Sequence, residues 1–154
     1  MQLTYFTDYA LRTLIYLAAH PERLVPIAEI SASYGISNHH LTKVANSLAR
    51  DGFVQAVRGR GGGLQLARAP EAIVVGEVVR ACEPNLHLVE CFDRATNTCP
   101  IVPACGLARV LMQAQRQFLA ALDGHTLADL VQPGPRTHQL LKIWKRTAAQ
   151  EFPP

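Results

Sequence analysis

The stretch PIAEISASYGISNHHLTKVANSLARDGFVQAVRGRGGGLQL, Pro26 to Leu66, decides the fold. Ser37 is a good helix N-cap, because a serine hydroxyl can accept from the free amides of a first turn. After it Leu41, Val44, Ala45 and Leu48 recur at i, i+3, i+4 and i+7. The spacing predicts a helix over about residues 38–51, stopped by Gly52. Upstream, Ile27, Ile30 and Ala32 mark a short helix closed by Tyr34-Gly35-Ile36-Ser37, with Gly35 supplying the tight turn. Downstream, two β-like runs, Phe53 to Val57 and Leu64 to Leu66, flank Arg58-Gly59-Arg60-Gly61-Gly62-Gly63, which reads as a hairpin with a basic tip. Helix, glycine turn, capped helix and basic hairpin in that order make a winged helix-turn-helix.

Such a unit reads DNA, because the major groove admits one helix. The exposed start of the second helix offers Asn38, His39, His40, Thr42 and Lys43. Asparagine pairs bidentately with adenine, and Lys43 and the histidines suit guanine acceptors or phosphates. We expect Asn38, His39, His40 and Lys43 at bases or nearby phosphates. Arg58 and Arg60 on the glycine-rich tip suit phosphates or a narrow minor groove. Taken singly, each is an ordinary solvated residue; the wing beside the helix favours DNA contact. The glycine run is no nucleotide loop, since the Lys-Ser/Thr ending of a P-loop is missing.

Around this core, Phe6, Ala10, Thr13, Leu14, Leu17 and Ala18 form one helical stripe, with Thr4 or Thr7 as its cap. Ile73 to Val75 reads as a short strand, and Val78, Val79 and Cys82 as a short helix ended by Pro84. From Gly106 to Leu122, Leu107, Val110, Leu111, Ala114, Phe118, Ala121 and Leu122 repeat at helical spacing, which gives a helix roughly 25 Å long. A seam of this kind outside a small domain suits a dimer contact, with packing inside the chain as the alternative. Residues 126–131 suggest a last short helix. Four segments result: a winged helix-turn-helix over 1–83, a cysteine-bearing loop over 84–105, a dimerisation helix and short terminal helix over 106–131, and a tail over 132–154. The tail reads as loose, with Leu140, Leu141, Ile143 and Trp144 able to dock as a helical turn or two. The fold class is mainly α with a small β wing.

At 154 residues, 49% hydrophobic and 18% charged, the chain is long enough for one fair-sized core and too short for a large multidomain enzyme. Residues 1–70 hold seven Lys/Arg against four Asp/Glu and carry the whole net charge of +3. With no signal peptide or membrane-length apolar run visible, the expected location is cytoplasmic. Cysteines there serve more readily as thiols or metal ligands than as structural disulfides.

Cys91-x7-Cys99-x5-Cys105 runs into the long helix. Three thiolates suit zinc or an iron–sulfur cluster, and the lack of paired C-x2-C knuckles argues for a cluster. Plain thiols, one of them a redox switch, remain an alternative. Cys82 lies at helical spacing from Val78 and Val79, as a small buried hydrophobe does. His87 is near in sequence and is a possible ligand.

The opening Met-Gln-Leu-Thr-Tyr-Phe-Thr-Asp-Tyr-Ala-Leu-Arg, the turn Tyr-Gly-Ile-Ser, the wing Val-Arg-Gly-Arg-Gly-Gly-Gly, the Gly-Glu-Val-Val-Arg segment from Gly76 and the Leu-Ala-Asp-Leu-Val end resemble the Rrf2 family of bacterial regulators over roughly residues 1–131. Within that family the likeness is to its nitric-oxide-sensing repressors. The resemblance implies a homodimer that binds a palindromic double-stranded operator and releases it when nitric oxide attacks a cluster on Cys91, Cys99 and Cys105. It implies [4Fe–4S] in preference to [2Fe–2S]. It also implies Asp8 of the partner subunit as an oxygen-donating fourth ligand; without it, Asp8 is a carboxylate favoured at a helix start. The family's cluster-assembly branch carries a histidine three residues after its last cysteine, where this chain has Ala108. The seven-residue gap after Cys91 also exceeds the family's usual five or so. The rival readings are a regulator of that branch, a cluster-free regulator controlled by thiol oxidation or by a protein partner, and an iron–sulfur carrier or small redox enzyme. No acid/base or nucleophile set supports the last.

Overall fold

A computed structural model describes residues 2–151 of the chain. Thr4 caps the first helix, α1 (Tyr5–Ala18), by accepting from the Thr7 amide. The helix-turn-helix is α2 (Ile27–Tyr34) and α3 (Asn38–Arg50). Between them Gly35 sits at φ 64°, a left-handed turn that a side chain would strain. Ser37 caps α3 by accepting from the His40 amide at 3.3 Å. The wing is β1 (Val54–Val57) and β2 (Gly63–Leu66), antiparallel, with Val54 opposite Leu66 and Val57 opposite Gly63.

The core lies where these elements meet. Leu14 and Leu17 of α1, Ile30 of α2, Val44 and Leu48 of α3, and Phe53 and Leu64 at the wing's base are all 2% exposed or less. The helix α4 (Val75–Cys82) packs on α1 through Val78 and closes the domain. The strand expected over Ile73 to Val75 is a single bridge, Val74 with Thr126, and Val75 already begins α4. That bridge leads into the short helix α6 (Leu127–Leu130), whose Leu127 is fully buried.

Between α4 and α6 runs the long helix α5 (Gly106–Asp123), packed on α4. Close approach is possible because Gly76 has no side chain; a Cβ there would collide with the Asp123 carboxylate, which pairs instead with Arg80. The expected α5 stripe splits along its length. Leu111, Phe118 and Leu122 are half-buried, while Leu107, Val110, Ala114 and Ala121 stay exposed.

The largest departure from expectation is the tail. Residues 135–151 form α7 (Pro135–Glu151), four turns and more rather than one or two, docked on α2. Sequence spacing understates it because its anchor is aromatic and distant. Trp144 is 4% exposed and lies among Tyr16, His20 and Tyr34. Residues 152–154 of the expected tail lie outside the described residues.

Candidate nucleic-acid interface and metal centre

The first turns of α3 present Asn38, His39, His40 and Lys43 to solvent. Thr42 turns its hydroxyl back to the Asn38 carbonyl at 2.7 Å, so it serves its own helix. His40 stacks on Tyr9 of α1, with ring centroids 6.1 Å apart and planes 28° from parallel. Sequence spacing alone does not mark Tyr9 as part of this face, although Tyr5 and Tyr9 recur at i and i+4. No acid occupies the first turn of α3, so its positive end faces outward uncancelled. Arg58 and Arg60 are exposed at the wing tip, and neither forms an ion pair among the described residues.

The three cysteines lie between α4 and α5. Cys91 lies in a short turn, Glu90–Phe92, and Cys105 directly precedes α5. The long gap between Cys91 and Cys99 closes on itself. Asp93 accepts from the Ala95 amide and the Thr96 hydroxyl, Asn97 accepts from the Cys99 amide, and Glu90 accepts from both the amide and hydroxyl of Thr98. Side-chain oxygens bonded to amides one or two residues on are the usual way to fold a loop without a helix or strand. The extra residues are thus spooled outward, and Cys91 and Cys99 are returned to the same side.

Cys91, Cys99 and Cys105 line one open cavity of about 230 Å³, together with the apolar side chains of Val89, Ile101, Leu107 and Leu111. The thiols share this cavity but are not drawn to liganding distance: among the described residues no three His, Cys, Asp or Glu side chains are close enough together to hold a metal ion. His87 lines a different cavity, beside Glu83, Gln115 and Phe118. Cys82 is buried away from the other three, and burial pushes its thiol up to about 11.

Asp8 stands apart from the cysteines within one chain. It pairs with Arg12 one turn along α1 at 2.8 Å and is half-exposed. The two regions are nevertheless joined. Glu83, the residue that ends α4 and starts the cysteine loop, accepts from the Thr4 amide at 2.8 Å and from the Thr4 hydroxyl at 3.1 Å. Thr4 is the cap of α1. Nothing in the local sequence announces a contact between residues so far apart.

A winged helix with an outward α3, followed by a thiol-lined loop and a long helix, matches one family over residues 3–133, the Rrf2 family, described as an iron-dependent transcriptional regulator. The chain belongs to the Rrf2 family. It is 49% identical over 144 residues to the HTH-type transcriptional regulator NsrR of Bacillus subtilis, covering 93% of this chain and 99% of that one. To NsrR of Shouchella clausii it is 48% identical over 132 residues, 85% of this chain and 89% of the relative. Among solved structures, T. potens IscR superposes with a TM-score of 0.69 at 26% identity over 85% of this chain and 86% of that one. The cysteine regulator CymR of B. subtilis shares the fold at a TM-score of 0.66 and 24% identity, covering 84% and 95% of the two chains. This Rrf2 member is accordingly a transcriptional regulator with a DNA-binding winged helix and not an enzyme. No helix among its described residues is long and apolar enough to cross a membrane.

Proposed function

We propose that this Rrf2 regulator is a cytoplasmic homodimeric repressor that holds an iron–sulfur cluster on Cys91, Cys99 and Cys105 and leaves its palindromic operator when nitric oxide reaches that cluster. The observation that carries the reading is the shared cavity, which Cys91, Cys99 and Cys105 line together with Glu90 and mostly apolar side chains. Its likeness to NsrR regulators adds the effector. The donors suit iron held by thiolates, and the open cavity leaves that iron within reach of a small molecule. A bound cluster, [4Fe–4S] in this reading, supplies iron that reacts with nitric oxide. Asp8 of the partner subunit completes the ligand set as an oxygen donor, after release from Arg12.

The remaining steps belong to the chain. Closing the thiols on one centre fixes Cys105 and hence the start of α5, whose exposed Leu107, Val110, Ala114 and Ala121 form the contact with a second copy. It also fixes the loop leaving Glu83, which is bonded to the cap of α1. Through α1, which packs on α3, the spacing of the two recognition helices is set. Asn38, His39, His40 and Lys43 then meet bases and phosphates in the major groove, and Arg58 and Arg60 the flanking backbone or minor groove. Moving such an equilibrium from 1:99 to 99:1 takes about 5.5 kcal/mol of differential stabilisation.

Anaerobically isolated protein should contain iron and acid-labile sulfide and absorb in the visible. It should bind operator DNA, and lose both the spectrum and the DNA on exposure to nitric oxide. A colourless, iron-free protein whose DNA release is reversed by reductant would establish thiol switching instead. Tight, nitric-oxide-responsive DNA binding by Cys99→Ala would refute the cluster mechanism.

A further inference from the structure

We infer that α7 carries a second DNA-contact surface, a stripe of basic side chains that grips the phosphate backbone beside the groove read by α3. His138, Lys142, Lys145 and Arg146 recur at i, i+4, i+7 and i+8, so they fall on one side of the helix. All four are exposed. The opposite side holds Thr137, Leu140, Leu141 and Trp144, all buried or half-buried. Trp144 fixes this orientation, with its ring centroid 4.7 Å from that of Tyr16 and 5.7 Å from that of Tyr34. The helix cannot roll to hide its cations without uncovering the indole.

The support beneath α7 gives the stripe its address. The element it packs on is α2, the first helix of the helix-turn-helix. In that motif the first helix crosses the DNA backbone while the second enters the groove. With Trp144 seated on Tyr16, His20 and Tyr34, α7 spans the ends of α1 and α2 with its basic side chains turned to solvent, and the inference places that face at the phosphate flank. The charge pattern agrees. From Pro135 to Ala148 there are four Lys/Arg and no Asp or Glu, and none of the four is ion-paired among the described residues. A helix face that merely needs solvating commonly alternates its signs and gains i,i+4 pairs. On this face Lys142, Lys145 and Arg146 stand with no acid beside them, and the polyanion the domain handles is duplex DNA. Lysine and arginine heads at phosphates release counterions and add affinity without base preference. The whole of α7 lies outside the three helices and wing that read sequence, and beyond the family match, which ends at residue 133.

The inference rests on the winged helix binding DNA, and one experiment separates the two. Binding of the full-length dimer to a 30-base-pair duplex of random sequence is followed by fluorescence anisotropy across a salt series. Lys142→Gln/Lys145→Gln/Arg146→Gln should weaken binding at low salt about tenfold or more and lower the slope of log affinity against log salt by about 1 for each phosphate no longer neutralised. Arg136→Gln, on the same helix but off the stripe, should change affinity by less than about twofold. Matching thermal melts confirm that α7 stays docked. A slope equal to that of the unaltered protein, or an equal loss in Arg136→Gln, overturns the inference while leaving the winged-helix reading intact. Failure of the unaltered protein to bind any duplex overturns both.

Discussion

The winged helix and the cysteine segment are built on opposite terms. In the first, residues 5–66 bury their large side chains against one another, and Leu14, Phe53 and Leu48 are sealed within a single chain. In the second, residues 84–105 form no strand and no helix longer than three residues, and the helix that follows exposes Leu107 and Val110 at 63% and 59%. The first region supplies its own partners. The second leaves its thiols half-exposed and the apolar start of α5 uncovered, and under the proposed function a metal meets the thiols and a second copy the helix. A sensor needs this division, because the part that reads DNA must persist while the part that reports a small molecule must be able to let go.

The sharpest way to break that contrast is to damage each side and ask whether the other notices. Phe53→Ala removes a fully buried ring at the base of the wing and should cost about 3–5 kcal/mol. Denaturant unfolding should show the same loss with and without bound iron. If added iron restores the lost stability, the winged helix is not self-supporting.

On the other side, Val110→Asp places a charge on the exposed half of α5. An uncompensated charge buried at an interface costs about 3–5 kcal/mol, more than a hundredfold in dimer affinity. Sedimentation should show a monomer whose helix content and unfolding midpoint are nearly unchanged. A variant that stays dimeric removes α5 from the interface.

What can be read from residues 26–66 and what cannot follows the same line. The helix-turn-helix and wing are local: a cap, a glycine turn and a period of 3.6 lie within a few residues of each other, so the fold and the outward positions of Asn38, His39, His40 and Lys43 are legible. The cysteines are legible as a set, but their shared cavity depends on Asp93 and Glu90 folding the long gap. The length of α7 escapes local spacing because Trp144 finds Tyr16 and Tyr34 across the whole chain. The tie between Glu83 and Thr4 is invisible for the same reason. Whether Asp8 reaches the cysteines is a question about two chains, which one chain's periodicity does not address.

That tie is where the two regions can be uncoupled gently. Thr4→Ala removes the cap of α1 and one bond to Glu83, and should cost about 1 kcal/mol. Glu83→Gln should cost less, since the amide oxygen still accepts from the Thr4 amide. In the metal-loaded dimer both should loosen DNA binding more than their stability loss explains. Equal losses in stability and DNA affinity would make the tie merely structural.

A smaller effect tests the winged helix alone. Arg23 bonds Glu29 and, with Tyr16 donating to the same carboxylate, holds its pKa below the ordinary 4.5. The folded value is depressed, so the stabilisation is complete above about 4.5 and is lost as the pH falls through the lower folded value. The pair is partly exposed, so solvent screening limits it to about 1 kcal/mol or less. Glu29→Gln should narrow the stability difference between pH 7 and pH 3, measured by unfolding, and leave the iron content unchanged.

The smallest expected change in stability separates the cysteines themselves. Cys82 is buried against the core, and its thiol is pushed up to about 11, so little of it is thiolate at pH 8. Alkylation proceeds through the thiolate and requires access. Cys91, Cys99 and Cys105 are half-exposed around an open cavity. Native, metal-free protein treated with iodoacetamide at pH 8 should therefore be modified at three positions, with Cys82 labelled only after unfolding. Cys99→Ser should shift the unfolding free energy of that metal-free protein by no more than about 0.5 kcal/mol, as a substitution outside the core does. If Cys82 reacts as fast as the other three, α4 opens with the loop, and the boundary between the self-supporting region and the sensing region lies on the near side of Val78.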